Sequence, residues 1–421
     1  IVIQFVAYIY ISLIMVRRST RKRSRTDSVS SNKSTSSTSS NNSTTKRQSK
    51  RGRKSSKDKV IVEEEEEIKP STTTTTEIAV HNTSTALILQ PPPPPPSETI
   101  SILPEPCMKC VGHGASITSL DFCNISNRLC TASTDKTVLI WNVEDKSVKN
   151  TCELAGHKNA ILQCCWGFDG DLVYTGSADK TVGIWDPYTG KRIRKLIGHT
   201  SHVNAVCAGG ANNDKNNSNN SILGHQTFLS CGNDNIINIW DLRTYKCVQR
   251  LHHSYQLTSL AIGGDRIFSG GIDESIQEWD IRNLEVIRKY DSHRDTITSL
   301  KMSPDNSYLL SNGMDGQMLA WDVNDISTET TDGIVNTPYK TFLGAIPNLR
   351  EHSLIRCNWS PDGTKVCSGS NDTCSFVWNF DTCDLTNRLA GHKGCVNDVV
   401  FCGDNCLASG ADDGIIILGE L

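Results

Sequence analysis

The sequence predicts an all-β fold, a seven-bladed β-propeller in which each blade is one four-stranded sheet. Two recurrences carry the prediction. An Asp stands six residues before a Trp at Asp135/Trp141, Asp179/Trp185, Asp234/Trp240, Asp273/Trp279, Asp315/Trp321 and Asp372/Trp378, and a seventh copy, Asp413, has Gly419 in the Trp place. A hydroxyl lies four residues before every one of these Asp, at Thr131, Thr175, Ser230, Ser269, Ser311, Ser368 and Ser409. His opens units at His113, His157, His199, His293 and His392, and of the first three copies the two undisturbed ones, at His113 and His157, have it 28 residues before the Trp. A blade of this size cannot cover both faces of its sheet, so it must pack on neighbours around an axis.

Residues 107–421 number 315, or 45 per blade, which leaves no room for a second globular domain. Charge is unevenly divided. Residues 17–59 carry +13, residues 60–106 carry −7 and the propeller carries −9, so attraction to a polyanion belongs to the tail and not the ring. All 17 cysteines lie at or beyond Cys107, an odd number on predicted strands. They read as small buried hydrophobes of a reduced protein, not as a disulfide framework.

In chain order, residues 1–16 are uncharged and apolar, yet short for a bilayer span. The first residue is Ile, and Met15 directly precedes a basic run. The expectation is that translation starts at Met15 and that residues 1–14 are untranslated leader, with a signal anchor as the other reading. Residues 1–106 form a low-complexity tail expected to be disordered: basic and Ser-rich over 17–59, acidic and Pro-rich over 60–106. The basic clusters fit either a nuclear-import signal or a solvated tail with weak RNA affinity.

The propeller is expected to start at Cys107. The chain ends after the third strand of the last unit, so the segment Cys107–Val111 is free to supply that blade's outer strand and close the circle. Cys107 and Cys110 read as strand residues, because a zinc site needs a second pair. The third unit is longer by 13 residues, owing to the Asn-rich run 211–221, and a second insertion falls at about 324–348. Gly224-His225 stands too close to Asp234 to open a unit. The fourth unit has His252-His253 where Gly-His is expected, and the sixth has Glu351-His352.

His, hydroxyl and Asp together suggest a nucleophilic triad, but an enzyme needs one such set and this chain repeats it. The economical account is a structural network of Asp, His, hydroxyl and Trp that ties the loop before the first strand to the turn before the third. No phosphate loop, zinc signature or calcium loop is present, and no cofactor, metal or small-molecule substrate is expected. Trp166 and Trp359 read as core residues in the apolar second strands of their units. Surfaces for macromolecular partners are then the rims. Candidate contacts are Ser116, His202, Gln256 and Thr296 before first strands, Asn233, Met314 and Asn371 before the structural Asp, and Arg243 and Arg282 at strand ends.

The repeats over about residues 107–421 resemble the WD-repeat (WD40) family. The stretches 269–282, 308–323 and 355–366, the Ser254-Tyr255-Gln256 entry to the fourth blade and the ending Gly419-Glu420-Leu421 are similar to the WD-repeat subunits of the U5 small nuclear ribonucleoprotein. That resemblance implies a nuclear, non-catalytic scaffold of the spliceosome in pre-mRNA splicing. Its implied partners are the large U5 scaffold protein and the U5 helicase and GTPase, with RNA contact at most indirect or through the basic tail, and no membrane. The alternative is a substrate receptor of a cullin-RING ubiquitin ligase, suggested by Trp-Asp-x-Arg at Trp240 to Arg243 and Trp279 to Arg282.

Overall fold

The computed structural model describes residues 108–144, 147–209, 227–325, 330, 332–344, 354–403 and 406–421, all within one compact unit. The expectations for the tail, for Cys107, for the Asn-rich run and for Glu351-His352 lie outside the described residues. The rest folds into seven sheets. The first blade comprises Ile117–Cys123, Arg128–Ser133, Thr137–Glu144 and Ser147–Ala155, each antiparallel to the next. The innermost strands of the following blades are Ile161–Trp166, Val203–Ala208, Leu257–Gly263, Ile297–Met302, Cys357–Trp359 and Val396–Phe401. Each touches the next, and the seventh touches the first, so the sheets form a closed ring.

Closure follows the sequence prediction. Met108–Val111 runs antiparallel to Ile415–Glu420, with Met108 opposite Leu418 and Val111 opposite Ile415. The seventh blade thus gains its fourth strand from Met108–Val111 and loses an open edge.

Two expectations need correction. Trp166 and Trp359 sit on the innermost strands of their blades, not the second, although they are buried as expected. Each indole donates to a carbonyl of the preceding blade, Trp166 to Asp121 at 3.1 Å and Trp359 to Lys301 at 3.2 Å. The second insertion, placed at about 324–348 with no structure assigned to it, contains two short strands. Lys340–Phe342 is the outer strand of the fifth blade, and Ile334–Val335 adds a fifth strand, in parallel, to the outer edge of the fourth. Both strands are too short for a period-2 pattern to reveal them.

The hydrophobic core is divided among the blade junctions. One buried cluster joins Cys130, Val138, Ile140 and Leu154 of the first blade to Ile161, Val173 and Trp185 of the second, and equivalent clusters fill every other junction, including that between the seventh and first blades. The repeated Trp packs each blade on its predecessor. Trp321 of the fifth blade is an instance: it is fully buried and meets Tyr290 of the fourth edge-on, with ring centroids 5.3 Å apart. At the junction of the sixth and seventh blades Gly419 removes the indole, and a small cavity lined by Leu389, Gly391, His392, Leu407, Ser409 and Ile417 takes its place.

The residue after each structural Asp is left-handed: Lys136, Lys180, Asn235, Glu274, Gly316, Thr373 and Gly414 all have φ between 63° and 78°. Only two of these are Gly, so five side chains tolerate a backbone region that disfavours them. The Asp is the cause. In six of the seven its Oδ1 accepts the N–H two residues on, as in Thr137 N to Asp135 at 2.9 Å and Gln317 N to Asp315 at 3.0 Å, which fixes the turn, and in the fourth blade Asp273 accepts the Ser275 hydroxyl at 2.8 Å instead.

Candidate functional site

The recurring Asp, His, hydroxyl and Trp side chains come together in the first, second, third and fifth blades. In the second blade, His157 Nδ1 donates to Asp179 at 3.0 Å, its Nε2 lies 2.7 Å from Thr175 Oγ1, and Trp185 Nε1 donates to the same oxygen at 2.8 Å. His113, His199 and His293 repeat this with Asp135, Asp234 and Asp315 at 2.9 to 3.0 Å. The indoles repeat it too: Trp141 donates to Thr131 at 3.0 Å, Trp240 to Ser230 at 2.8 Å and Trp321 to Ser311 at 2.9 Å. Trp321 therefore serves twice, since the same side chain that closes its blade's network also fills the junction with the fourth blade.

The donor count closes: the hydroxyl gives its one proton to Nε2 and accepts the indole N–H. The Asp also accepts the backbone N–H after the His, as from Lys158 at 3.0 Å. The carboxyls of Asp135, Asp179, Asp234 and Asp315 therefore lie below the usual range, because bonds led by those from the His outweigh burial. The hydroxyl-bearing residues Thr131, Thr175, Ser230 and Ser311 are fully buried, so no substrate atom can reach them as nucleophiles.

Three blades depart from the pattern. In the fourth it is His253, not the exposed His252, that turns inward, with its ring reversed. Nδ1 accepts Tyr255 N at 3.1 Å, so Nε2 carries the proton, and it stops 3.9 Å from Asp273. Nε2 and Asp273 Oδ1 are buried without hydrogen-bond partners, while Trp279 keeps its bond to Ser269 at 2.8 Å. In the sixth blade, among the described residues, the Trp does not meet Ser368. Trp378 donates instead to the Leu343 carbonyl at 2.9 Å, Ser368 bonds to backbone carbonyls among the described residues, and Asp372 accepts Arg388 at 3.1 Å. In the seventh, His392 lies 3.2 Å from Asp413 and 2.8 Å from Ser409, with no indole above them.

The sequence reading missed the ring's axis. Thr118, Asn204, Thr298 and Asn397 occupy one position of the innermost strand and bond to the next blade's carbonyl, at Ile161 O (2.8 Å), Leu257 O (2.6 Å), Ile355 O (2.6 Å) and Ile117 O (2.7 Å), and Thr258 does the same with Ile297 O. The two remaining blades have Leu162 and Arg356 at that position. Arg356 reaches between non-adjacent blades, donating from Nη2 to Leu162 O at 3.1 Å and from Nε to Thr118 O at 3.4 Å. Below it, Lys301 of the fifth blade stands 4.0 Å from Asp121 of the first. Asp398 Oδ2 accepts Leu120 N at 2.7 Å. Burial raises the Asp121 and Asp398 carboxyls, the latter to about 6, against the pull of Lys301 and Arg356. The signal in the sequence was a lone charge inside an otherwise uncharged run, at Asp121, Lys301, Arg356 and Asp398.

The nine candidate contact residues separate onto two rims. His202, Gln256, Asn233, Met314 and Asn371 are half-buried on the rim that carries the networks. Ser116 and Thr296 belong to the same rim but are buried, at 4% and 2% exposure, which corrects their assignment as contacts. Ser116 Oγ donates to Asp412 across the closing junction, and the Thr296 carbonyl accepts Met314 N at 2.8 Å. Arg243 and Arg282 lie on the opposite rim. Arg243 folds back on Asp241 (Nε to Oδ1, 3.2 Å), and Arg282 pairs with Asp265.

The cysteines described are free, and burial pushes the thiols of Cys207 and Cys357 up to about 11 and about 12. Among the described residues no group of three His, Cys, Asp or Glu is placed to hold a metal, and no helix is long and apolar enough to cross a membrane.

Comparison with known proteins agrees with this architecture. The family model described as WD domain, G-beta repeat matches residues 104–142, 148–186, 190–241, 284–322, 345–379 and 383–418. The interval it passes over, 242–283, holds the blade with the reversed His253. The chain is 32% identical to a Dictyostelium discoideum U5 small nuclear ribonucleoprotein 40 kDa protein, over 77% of this chain and 87% of that protein. It is 34% identical to the Schizosaccharomyces pombe pre-mRNA-splicing factor cwf17, over 76% and 89%, and 33% identical to the Homo sapiens U5 small nuclear ribonucleoprotein 40 kDa protein, over 76% and 85%. The chain belongs to the WD40-repeat family and, within it, to the family of the U5 small nuclear ribonucleoprotein 40 kDa proteins.

Proposed function

We propose that this protein is a non-catalytic scaffold of the U5 small nuclear ribonucleoprotein that acts in pre-mRNA splicing in the nucleus. The observation that carries the reading is the similarity to relatives bearing those names over 85% or more of their length. The ring supports it physically. Its recurrent polar side chains are spent on internal hydrogen bonds, and its axis is crossed by Arg356, which leaves rims and outer edges as the surfaces that meet partners. The partners of this reading are the large U5 scaffold protein and the U5 helicase and GTPase, met in part through His202, Asn233, Gln256, Met314 and Asn371. The basic segment 17–59 would serve import or a weak, salt-sensitive RNA contact.

Affinity purification of the tagged chain from nuclear extract tests the proposal. Recovery of U5 RNA with its large proteins is the expected result. Recovery of a cullin and its adaptor without that RNA would refute it, and loss of those partners on replacing Arg243 and Arg282 would point the same way.

A further inference from the structure

The outer strand of the second blade, Arg192–Ile197, follows Lys191 and contains Arg192, Arg194 and Lys195, with no acidic residue from 191 to 197. The other outer strands are weaker in charge. Ser147–Ala155 sets Lys149 against Glu153, Glu285–Tyr290 sets Arg288 and Lys289 against Glu285, and Lys246–His252 has only Lys246 and Arg250. In a ring of net −9, four neighbouring cations on one edge are an exception that requires a reason.

These cations are not neutralised by ion pairs among the described residues. Lys191, Arg192 and Arg194 are exposed and Lys195 is half-buried, and none of them appears in an ion pair among the described residues. Arg192 lies over Trp185 and donates to Gly156 O at 2.9 Å, while Arg194 lies over the Tyr245 ring, 5.1 Å from its centroid. The strand register puts Arg192 and Lys195 opposite Trp185 and Gly183, on one face, and Arg194 opposite Ile184, on the other. Positive charge therefore flanks both sides of the edge.

The molecule itself demonstrates what such an edge accepts. On the fourth blade, Lys289 N donates to Gly333 O at 3.0 Å and Asp291 N to Val335 O at 2.9 Å, which seats the extra strand Ile334–Val335. Tyr290 faces Ile276 there as Leu196 faces Val182 in the second blade, so the equivalent outward amides are those of Lys195 and Ile197. No strand lies beyond them among the described residues, and Ile197 is 78% exposed.

We propose that the outer edge of the second blade receives a fifth strand from a partner protein, an extended acidic segment. Its main chain pairs with the Lys195 and Ile197 amides, and its carboxylates sit on both faces against Lys191, Arg192, Arg194 and Lys195. A nucleic acid would meet the cations but leave the backbone groups unpaired, so the edge favours a peptide. The inference is independent of the splicing assignment.

The test uses the full chain and a fluorescein-labelled short peptide of repeating Glu-Glu-Val-Val, which as a strand presents carboxylates on both faces, with anisotropy as the readout and carbodiimide coupling followed by mass spectrometry to locate it. Coupling maps contact directly, so binding to the basic tail is separated from binding to the edge. The expected results are adducts at Lys191 and Lys195, and a loss of Lys191 coupling of about tenfold or more in an Arg194→Glu/Lys195→Glu variant whose melting is unchanged. A peptide with Pro in place of alternate Val, lacking the N–H groups, should fail at the edge. Equal coupling of the Pro peptide, adducts confined to other lysines, or an oligouridylate that displaces the peptide from Lys191 and Lys195 would each overturn the proposal.

Discussion

Arg356 of the sixth blade donates to the carbonyl of Leu162 in the second, at 3.1 Å across the axis of the ring. These are the two blades whose innermost strand lacks the Thr or Asn that elsewhere laces each blade to its neighbour, so the exceptions satisfy one another. Arg356→Met should leave both carbonyls and the buried Asp398 without their cation, at a cost of about 2 to 4 kcal/mol. Arg356→Lys retains the charge but cannot span two carbonyls and should recover only part of the loss. Thermal unfolding followed by circular dichroism checks both, and equal melting of Met variant and wild type would remove the axial role.

The hydroxyls are not equivalent, although the sequence repeats them identically. Ser230 joins His199 to Trp240 at 2.7 and 2.8 Å, whereas Ser368, among the described residues, meets backbone carbonyls and no indole. Ser230→Ala should therefore cost about 1 to 3 kcal/mol, and Ser368→Ala less than about 1. Denaturant titration of the two variants side by side distinguishes a network effect from a generic loss of one hydroxyl.

Acid should destabilise the ring through the structural carboxylates. Asp135, Asp179, Asp234, Asp315 and Asp413 are all lowered in the folded state, so each binds a proton more readily when unfolded. Their contribution is full above about pH 4 and is lost as pH falls toward the folded values. Asp398, raised to about 6, acts in the opposite sense: its contribution is full below about pH 4 and declines as pH rises through about 6. Asp179→Asn should lower melting at neutral pH and flatten the acid limb. An acid limb as steep as that of the wild type would assign the loss to other groups.

The cavity below Gly419 has the lining that surrounds an indole elsewhere, with Gly391, His392 and Ser409 matching Gly112, His113 and Thr131 around Trp141. Gly419→Trp should fill it and donate to Ser409, raising stability by about 1 to 2 kcal/mol. A fall in melting temperature would mean that Ile417 has closed the space.

The sequence alone determined the number of blades, the closure near its first strand and the composition of the internal networks of the first, second, third and fifth blades. These features repeat at fixed spacing, and each Asp acts within its own turn and its own His-to-Trp unit, so local order carries the information. Trp321 and Ser311 meet as their spacing requires, because both lie on paired strands of one blade. Tertiary structure decided the rest. That Trp378 turns to Leu343, that Ser116 and Thr296 are buried and that Arg356 crosses to Leu162 all depend on contacts between segments far apart in the chain, where the register of one blade against another sets which atoms meet. Spacing within a repeat says nothing about that register, because it is fixed by packing around the closed ring.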